Sequence, residues 1–343
     1  MRSRYSIRLL YEAVVVVALA CASLWVLYLL NSFQPLGADF APVWTAAAHP
    51  SSAYDVAAIT QAQPDFMNLG QRPFAYPPTA LLLFAPFGLL PFWFSYAAFT
   101  LASLCLFIWS ALRAGAAWWV VVFPPLLLLA HVGQPSLLVG GLILSGLAFP
   151  ACRGVLFGIA VALKPQLCLF LPLVFLFERD LRGATIAAGV AAALAILATL
   201  SFGFVAWTQW IESARELVSV ATSNPKLSHY MINSDPLLFA IPALALVWVM
   251  RNSVPAFLLA ALIGAALLVS PYAMNYETAL LAPAFVSRAR PSLWIFAALL
   301  VFVCFVSPLP VLVVALLALV LTQARDVAGR GHAQEACAES GVS

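Results

Sequence analysis

Apolar residues fill the chain in runs of about 20, from one end to the other, broken by short polar or basic turns. Runs of that length and composition are the signature of membrane-spanning helices. They lie near 9–30, 91–112, 117–131, 135–151, 183–203, 236–250, 254–270, 273–287, 292–306 and 308–324. The run at 153–178 is different, because Lys164-Pro165 sits in its middle. Proline cannot continue a helix interior, so this run is predicted as two half-height helices that turn back at Lys164-Pro165. The run Pro78–Leu90 is too short to cross comfortably and is predicted to be re-entrant.

Two long stretches depart from the pattern. Residues 32–77 are polar and proline-rich and carry two predicted short helices, about 40–48 and 56–63. Residues 204–235 place Trp207, Trp210, Ile211, Ala214, Leu217, Val218 and Ala221 at helical spacing, with Gln209, Glu212, Arg215, Glu216 and Ser219 largely on the other face. That pattern predicts an amphipathic helix lying on the membrane surface.

Composition strengthens the membrane reading. Hydrophobic residues make up 64% of the 343 and charged residues only 8%, whereas a soluble domain carries about 25% charged residues. Water cannot be the main solvent. Arg2, Arg4 and Arg8 precede the first apolar run, which is too long for a signal-peptide core and is expected to be retained. Basic residues mark the cytoplasmic side. Breaking the chain at Lys164-Pro165 puts twelve of the sixteen Lys and Arg there and leaves Arg72, Lys164, Arg215 and Lys226 outside. A single span through 153–178 would scatter them. The prediction is an all-α, polytopic membrane helix bundle of about 10–12 spans. Residues 1–325 form one domain, with external loops at 32–77 and 204–235, and 326–343 form a disordered cytoplasmic tail. The six cysteines show no CxxC pairing and read as small apolar filler.

The candidate chemistry gathers on the outer side. Asp39, in Gly37-Ala38-Asp39-Phe40, either caps the helix at 40–48 or serves as a general base at the membrane boundary. Asp55 has a capping place before 56–63. Lys164 lies within the membrane's depth, where an ionisable residue is a functional candidate; its ammonium suits a lipid phosphate, or it snorkels to the interface. Arg72, ahead of Phe74-Ala75-Tyr76-Pro77-Pro78, offers a guanidinium for bidentate phosphate binding or is an exposed loop residue. His131 and Gln134 form a turn between two runs, and Tyr276-Glu277 opens at the same face. There Glu277 either holds a sugar hydroxyl or caps a helix end. Tyr76, His131, Gln134, Tyr276 and Glu277 are the candidates for substrate contact. No Gly-rich phosphate loop, metal-ligand spacing, serine-hydrolase elbow or nucleic-acid patch occurs, so no metal or cofactor is assigned.

Taken in order, these segments resemble glycosyltransferase family 87, membrane enzymes of the GT-C type. Gly37-Ala38-Asp39-Phe40 follows the first helix, and Phe74-Ala75-Tyr76-Pro77-Pro78 precedes a run ending Leu89-Leu90-Pro91. Gly133-Gln134-Pro135-Ser136 opens a span, Gly158 to Lys164-Pro165-Gln166 leads to Leu171-Pro172-Leu173, and Ser270-Pro271 precedes Tyr276-Glu277. The resemblance spans roughly residues 9–290 and implies transfer of a hexose, mannose foremost, from a polyprenyl-phosphate donor. It makes Asp39 the acidic residue of the first external loop and Lys164 the lysine of the family's Lys-Pro motif. Some relatives that use mannose have histidine-containing sequence where this chain has Tyr276-Glu277. The implied setting is the inner (cell) membrane with the site facing the exterior or periplasm. Its partners are the lipid-linked donor, a glycolipid or glycan acceptor and membrane lipid, with no nucleic acid. A transporter or lipid flippase is the alternative. It would require charged residues deep in several helices and an internal repeat, neither of which the sequence displays.

Overall fold

The computed structural model describes residues 35–64, 72–223, 236–270, 273–288 and 308–339, together with Ala13, Val14, Val17, Cys21, Leu293, Trp294, Phe296 and Ala297. The runs predicted at 9–30 and 292–306 therefore lie largely outside the described residues, as does 224–235. Among the described residues the chain is helical, with one isolated bridge between Ala116 and Ser287 and no strand. In chain order the helices are α1 (Ala41–Ala48), α2 (Val56–Ala62), α3 (Pro78–Gly88), α4 (Phe92–Arg113) and α5 (Pro124–Val132). They continue with α6 (Ser136–Ala148), α7 (Arg153–Leu163), α8 (Leu171–Glu178), α9 (Leu181–Phe202) and α10 (Val205–Ser223). The last are α11 (Pro236–Met250), α12 (Pro255–Val269), α13 (Ala282–Phe285) and α14 (Pro308–Glu339).

This is an all-α membrane helix bundle. Helices α4 and α9, each of 22 residues, are long and apolar enough to cross a bilayer, since 22 residues rise about 33 Å. Helix α9 buries only Gly183 and Ala198, while Leu181 and Leu200 are about 80% exposed. An apolar helix with almost no covered face needs lipid around it. Helix α12 is the opposite case: every residue from Ala256 to Leu268 is buried, as an all-apolar helix in the middle of a bundle should be. Around it pack α11, α6, α14 and two tight 3₁₀ turns, Pro165–Cys168 and Asn275–Leu281. Helices α3, α9, α7, α6 and α4 then follow one another across the bundle. The α7–α9 contact is close because Gly154 and Gly158 face α9: a Cβ on either would fall 2.8 Å from the Gly183 or Ala187 carbonyl oxygen. Small residues four apart let two membrane helices approach in this way.

The break at Lys164-Pro165 is present. Helix α7 stops at Leu163, Lys164 leaves helical backbone angles (φ −150°, ψ 78°), and the 3₁₀ turn Pro165–Cys168 leads into α8. The segment doubles back on itself, because Arg153 at the start of α7 is bonded to Glu178 at the end of α8. A straight helix between those residues would hold them about 37 Å apart. The expected helices at 40–48 and 56–63 appear as α1 and α2, and Asp55 does cap α2, accepting from Ala58 N at 3.0 Å.

Several expectations are corrected. The run 117–131 is not a continuous span: Phe123-Pro124-Pro125 divides it into a 3₁₀ turn, Trp118–Val122, and α5, nine residues long. The run 273–287 is a 3₁₀ turn followed by the four-residue α13, buried throughout. Polar residues at its start, Asn275 and Glu277, take it out of lipid and into the protein interior. The amphipathic helix is present as α10, and part of it packs on protein. Trp210 Nε1 donates to the Ala75 carbonyl (3.1 Å) and Ser213 Oγ to the Phe74 carbonyl (3.0 Å), leaving Ile211 exposed. The segment it covers contains Pro73, Pro77 and Pro78, which carry no N–H to pair with neighbours; side chains from α10 take up its carbonyls instead. Finally, α14 extends from Pro308 to Glu339, past the apolar run predicted at 308–324.

The doubled-back segment generates a topology prediction. Reporter fusions placed after Cys152 and after Arg182 are expected to read the same side of the membrane. Opposite readings would restore a through-span at 153–178.

Candidate active site

The site is built where helices end. Helix α5 stops at Val132 with Gly133 in the left-handed region (φ 71°). A Cβ on Gly133 would fall 2.7 Å from that of Phe40, so glycine lets the helix end close against the Gly37–Phe40 loop. The last carbonyls of a helix have no partner within it. Here the loop supplies them: Gly37 N donates to His131 O (2.8 Å), and Asp39 N (2.9 Å) and Phe40 N (3.1 Å) donate to Val132 O. These bonds fix the backbone of Asp39. The side chain does not cap α1, whose N-cap is Phe40 with no side-chain cap bond. The capping alternative for Asp39 therefore falls away.

Instead Asp39 collects donors from three distant segments. Arg72 Nη1 donates to Oδ1 (2.7 Å), while Gln134 Nε2 (3.0 Å) and Tyr276 Oη (2.9 Å) donate to Oδ2. Gln134 is itself oriented. Its Oε1 accepts from Tyr76 Oη (2.7 Å), and its Nε2 also donates to Tyr276 Oη (3.0 Å). The Asp39 side chain is 14% exposed and that of Arg72 22%, so this end of the network reaches solvent. Arg72 also holds the Ala38 carbonyl (3.4 Å) and is thereby an internal partner rather than a free loop arginine.

The other end is dry. Lys164 and Glu277, 5% and 3% exposed, form a buried ion pair. Ser136, fully buried, bridges it: its Oγ accepts from Lys164 Nζ (2.7 Å) and donates to Glu277 Oε1 (2.8 Å). Lys164 does not snorkel to the interface; its ammonium points inward, over the ring of Tyr76 at 5.8 Å. Glu277 does not cap its turn, because its carboxylate is turned to the lysine. The helix break makes Lys164 available: beside it the Ala162 carbonyl, left free where α7 stops, accepts from Thr79 Oγ1 (2.5 Å).

Of the predicted site residues, Asp39, Arg72, Tyr76, Gln134, Lys164, Tyr276 and Glu277 come together in this one network. His131 is tied to it through its backbone carbonyl, which also accepts from Tyr96 Oη (3.0 Å). Ser136 is a functional residue that the sequence does not single out; its place two residues after Gln134, at the mouth of a buried helix, is the available signal. Tyr54 supports the site from behind by donating to the Tyr76 carbonyl (2.9 Å), and burial pushes its phenol well above the ordinary range, keeping it a donor. A cleft of about 430 Å³ between α2 and α10, lined by Tyr54, Asp55, Gln209, Glu212, Ser213 and Glu216 among others, includes no member of the network. Among the described residues no group of three His, Cys, Asp or Glu is placed to hold a metal ion.

With this geometry in hand, comparison with known families gives one match. The family model for glycosyltransferase family 87 aligns with residues 74–271, more than half of the 343-residue chain. No curated protein and no solved structure matches. Tyr76, Gln134, Ser136 and Lys164 fall inside the aligned stretch, and Asp39, Arg72, Tyr276 and Glu277 outside it.

The buried pair generates a stability prediction. Removing one partner strands the other charge in the interior, which costs about 3–5 kcal/mol. Lys164→Met alone is thus expected to lower thermal stability sharply, while Lys164→Met with Glu277→Leu recovers most of the loss. Thermal unfolding of both in one detergent makes the comparison; equal melting temperatures for the single variant and the wild type would refute the pairing.

Proposed function

The chain belongs to glycosyltransferase family 87 and is a membrane glycosyltransferase; from that premise we propose that it moves a hexose, mannose foremost, from a polyprenyl-phosphate donor to a hydroxyl of a glycolipid or glycan acceptor. In this reading the active site faces the exterior or periplasm, the chain crosses the inner membrane many times, and residues 1–325 act as one catalytic unit. Asp39 is the general base. The observation that carries this is its setting: a carboxylate fixed through its backbone and by three side-chain donors, yet still reaching solvent. A base held this way is already aimed when the acceptor arrives.

The chemistry follows from which groups are accessible. The network contains two carboxylates, and Glu277 is occupied by Lys164 and Ser136. Retention by double displacement needs a carboxylate nucleophile in addition to the acid–base group. A site with one accessible carboxylate among the described residues of the network favours a single displacement with inversion over a double displacement. Asp39 takes the acceptor's hydroxyl proton as the new C1–O bond forms. The C1–O bond to phosphate breaks, and the polyprenyl phosphate leaves with the electron pair. Arg72, the more exposed of the site's two cations, stands beside the base and is the natural contact for that phosphate. Tyr76, Gln134 and Tyr276 present hydroxyl and amide groups to the sugar from the same side.

Purified protein given polyprenyl-phosphate mannose and a membrane lipid extract is expected to transfer the sugar, and nucleotide sugar alone is expected to give none. Asp39→Asn keeps an acceptor oxygen for Gln134 and Tyr276 but removes basicity. Turnover should fall at least about 100-fold, the usual scale for loss of a general base, in a protein that remains folded. Near-normal turnover would remove Asp39 from the role of base.

A further inference from the structure

We propose that Lys164, Glu277 and Ser136 are positioning residues, a buried clamp that aims the two side-chain donors which orient Asp39. This rests on Asp39 being the base. The clamp joins three segments distant in sequence: the start of α6, the end of α7 and the 3₁₀ turn Asn275–Leu281. Two of those segments carry a donor to Asp39 immediately beside their clamp residue. Gln134 lies two residues before Ser136, and Tyr276 directly precedes Glu277. The third segment acts through Tyr76. Lys164 lies over its ring, and Tyr76 Oη donates to Gln134 Oε1, which turns the amide nitrogen of Gln134 toward Asp39.

The arrangement answers a local weakness. A 3₁₀ turn has poorer hydrogen-bond geometry than an α-helix and little rigidity of its own, yet Tyr276 must be held at 2.9 Å from a carboxylate on another segment. An ion pair reinforced by a shared hydroxyl pins that turn one residue away. The burial of all three clamp residues argues against direct substrate contact. Lys164 spends its ammonium on Glu277, Ser136 and the face of Tyr76, so a phosphate there would have to displace a buried carboxylate. The clamp therefore governs turnover and leaves affinity for the lipid phosphate unchanged.

The test uses full-length protein in two variants without a stranded charge: Ser136→Ala, and Lys164→Met combined with Glu277→Leu. The probes are polyprenyl phosphate without sugar, for affinity, and the sugar-bearing donor, for turnover. Turnover should fall by at least about 10-fold, in keeping with the sensitivity of reactions to misplacement of about 1 Å, while the dissociation constant for polyprenyl phosphate stays within about 2-fold. Placed on Asp39→Asn, the same changes should cost the residual turnover nothing more, because the base they aim is gone. A 10-fold or greater weakening of polyprenyl phosphate binding would make Lys164 a phosphate ligand and overturn the proposal. So would wild-type turnover in folded variants, or losses that add in full to that of Asp39→Asn. If the double variant does not fold, Ser136→Ala decides alone. Should Asp39→Asn itself turn over normally, the base reading fails; an inactive Asp39→Asn beside a fully active Ser136→Ala refutes only the clamp.

Discussion

A lysine and a glutamate 113 residues apart in sequence meet in the dry interior of this bundle, and much of the architecture is what that meeting requires. Neither charge is tolerable alone at such burial. Lys164 must therefore stand at a helix end, with a backbone turned out of helical angles so that its side chain reaches across to the Asn275–Leu281 turn. Pro165 supplies that end. The turn, in turn, must sit against α12 and α5 rather than in lipid. Stability alone does not explain such a pair, since apolar residues of similar volume do as well or better. What apolar residues lack is direction, and in the proposed clamp direction is what the pair lends to the segments carrying Gln134 and Tyr276.

The four charges of the network are arranged by access. Lys164 and Glu277 are sealed, Arg72 and Asp39 reach the opening, and each cation is matched by a carboxylate. The described network thus carries no net charge, and any anionic ligand entering it would unbalance it. In a low-dielectric surrounding this matters more than it would in water. The cost is least where solvent still screens, which is the Arg72 end. The same asymmetry separates settings: an accessible carboxylate at one end, and a sealed ion pair at the other.

Local rules made part of this legible in the sequence. Asp55 caps α2 because a helix start needs an acceptor and nothing competes for it. The stop at Leu163 follows from Pro165, and the apolar runs at 91–112 and 183–203 became full-length helices. Asp39 was ambiguous by the same rules; what settles its bonding is Arg72, Gln134 and Tyr276, whose approach no local pattern encodes. The clamp was hidden for the same reason: Ser136 is an ordinary residue until Lys164 and Glu277 arrive on either side of it. Length also misled. The runs 117–131 and 273–287 are apolar enough to span, yet Pro124-Pro125 in one and Asn275 and Glu277 in the other turned them into short interior pieces. The covered face of α10 shows the limit of amphipathicity as a guide, since an apolar stripe is equally suited to lipid and to a proline-rich segment with carbonyls to satisfy.

Why the site lies where it does follows from backbone hydrogen bonding. Within a bilayer, continuous helices satisfy their own polar groups and offer nothing to a polar ligand. Only at helix ends are carbonyls and N–H groups available, and exposing them to lipid is prohibitive. The bundle resolves this by bringing several interrupted helices to one place, where the free carbonyls at the end of α5 take N–H groups from the Asp39 loop and the one at the end of α7 takes Thr79. Once such a region exists, polar side chains can accumulate there at little further cost, because neighbours already hold donors and acceptors in reach. The interruption that is awkward for folding is thus the condition for the polar site: a bundle of unbroken helices would offer no backbone groups with which to fix a loop carboxylate such as that of Asp39.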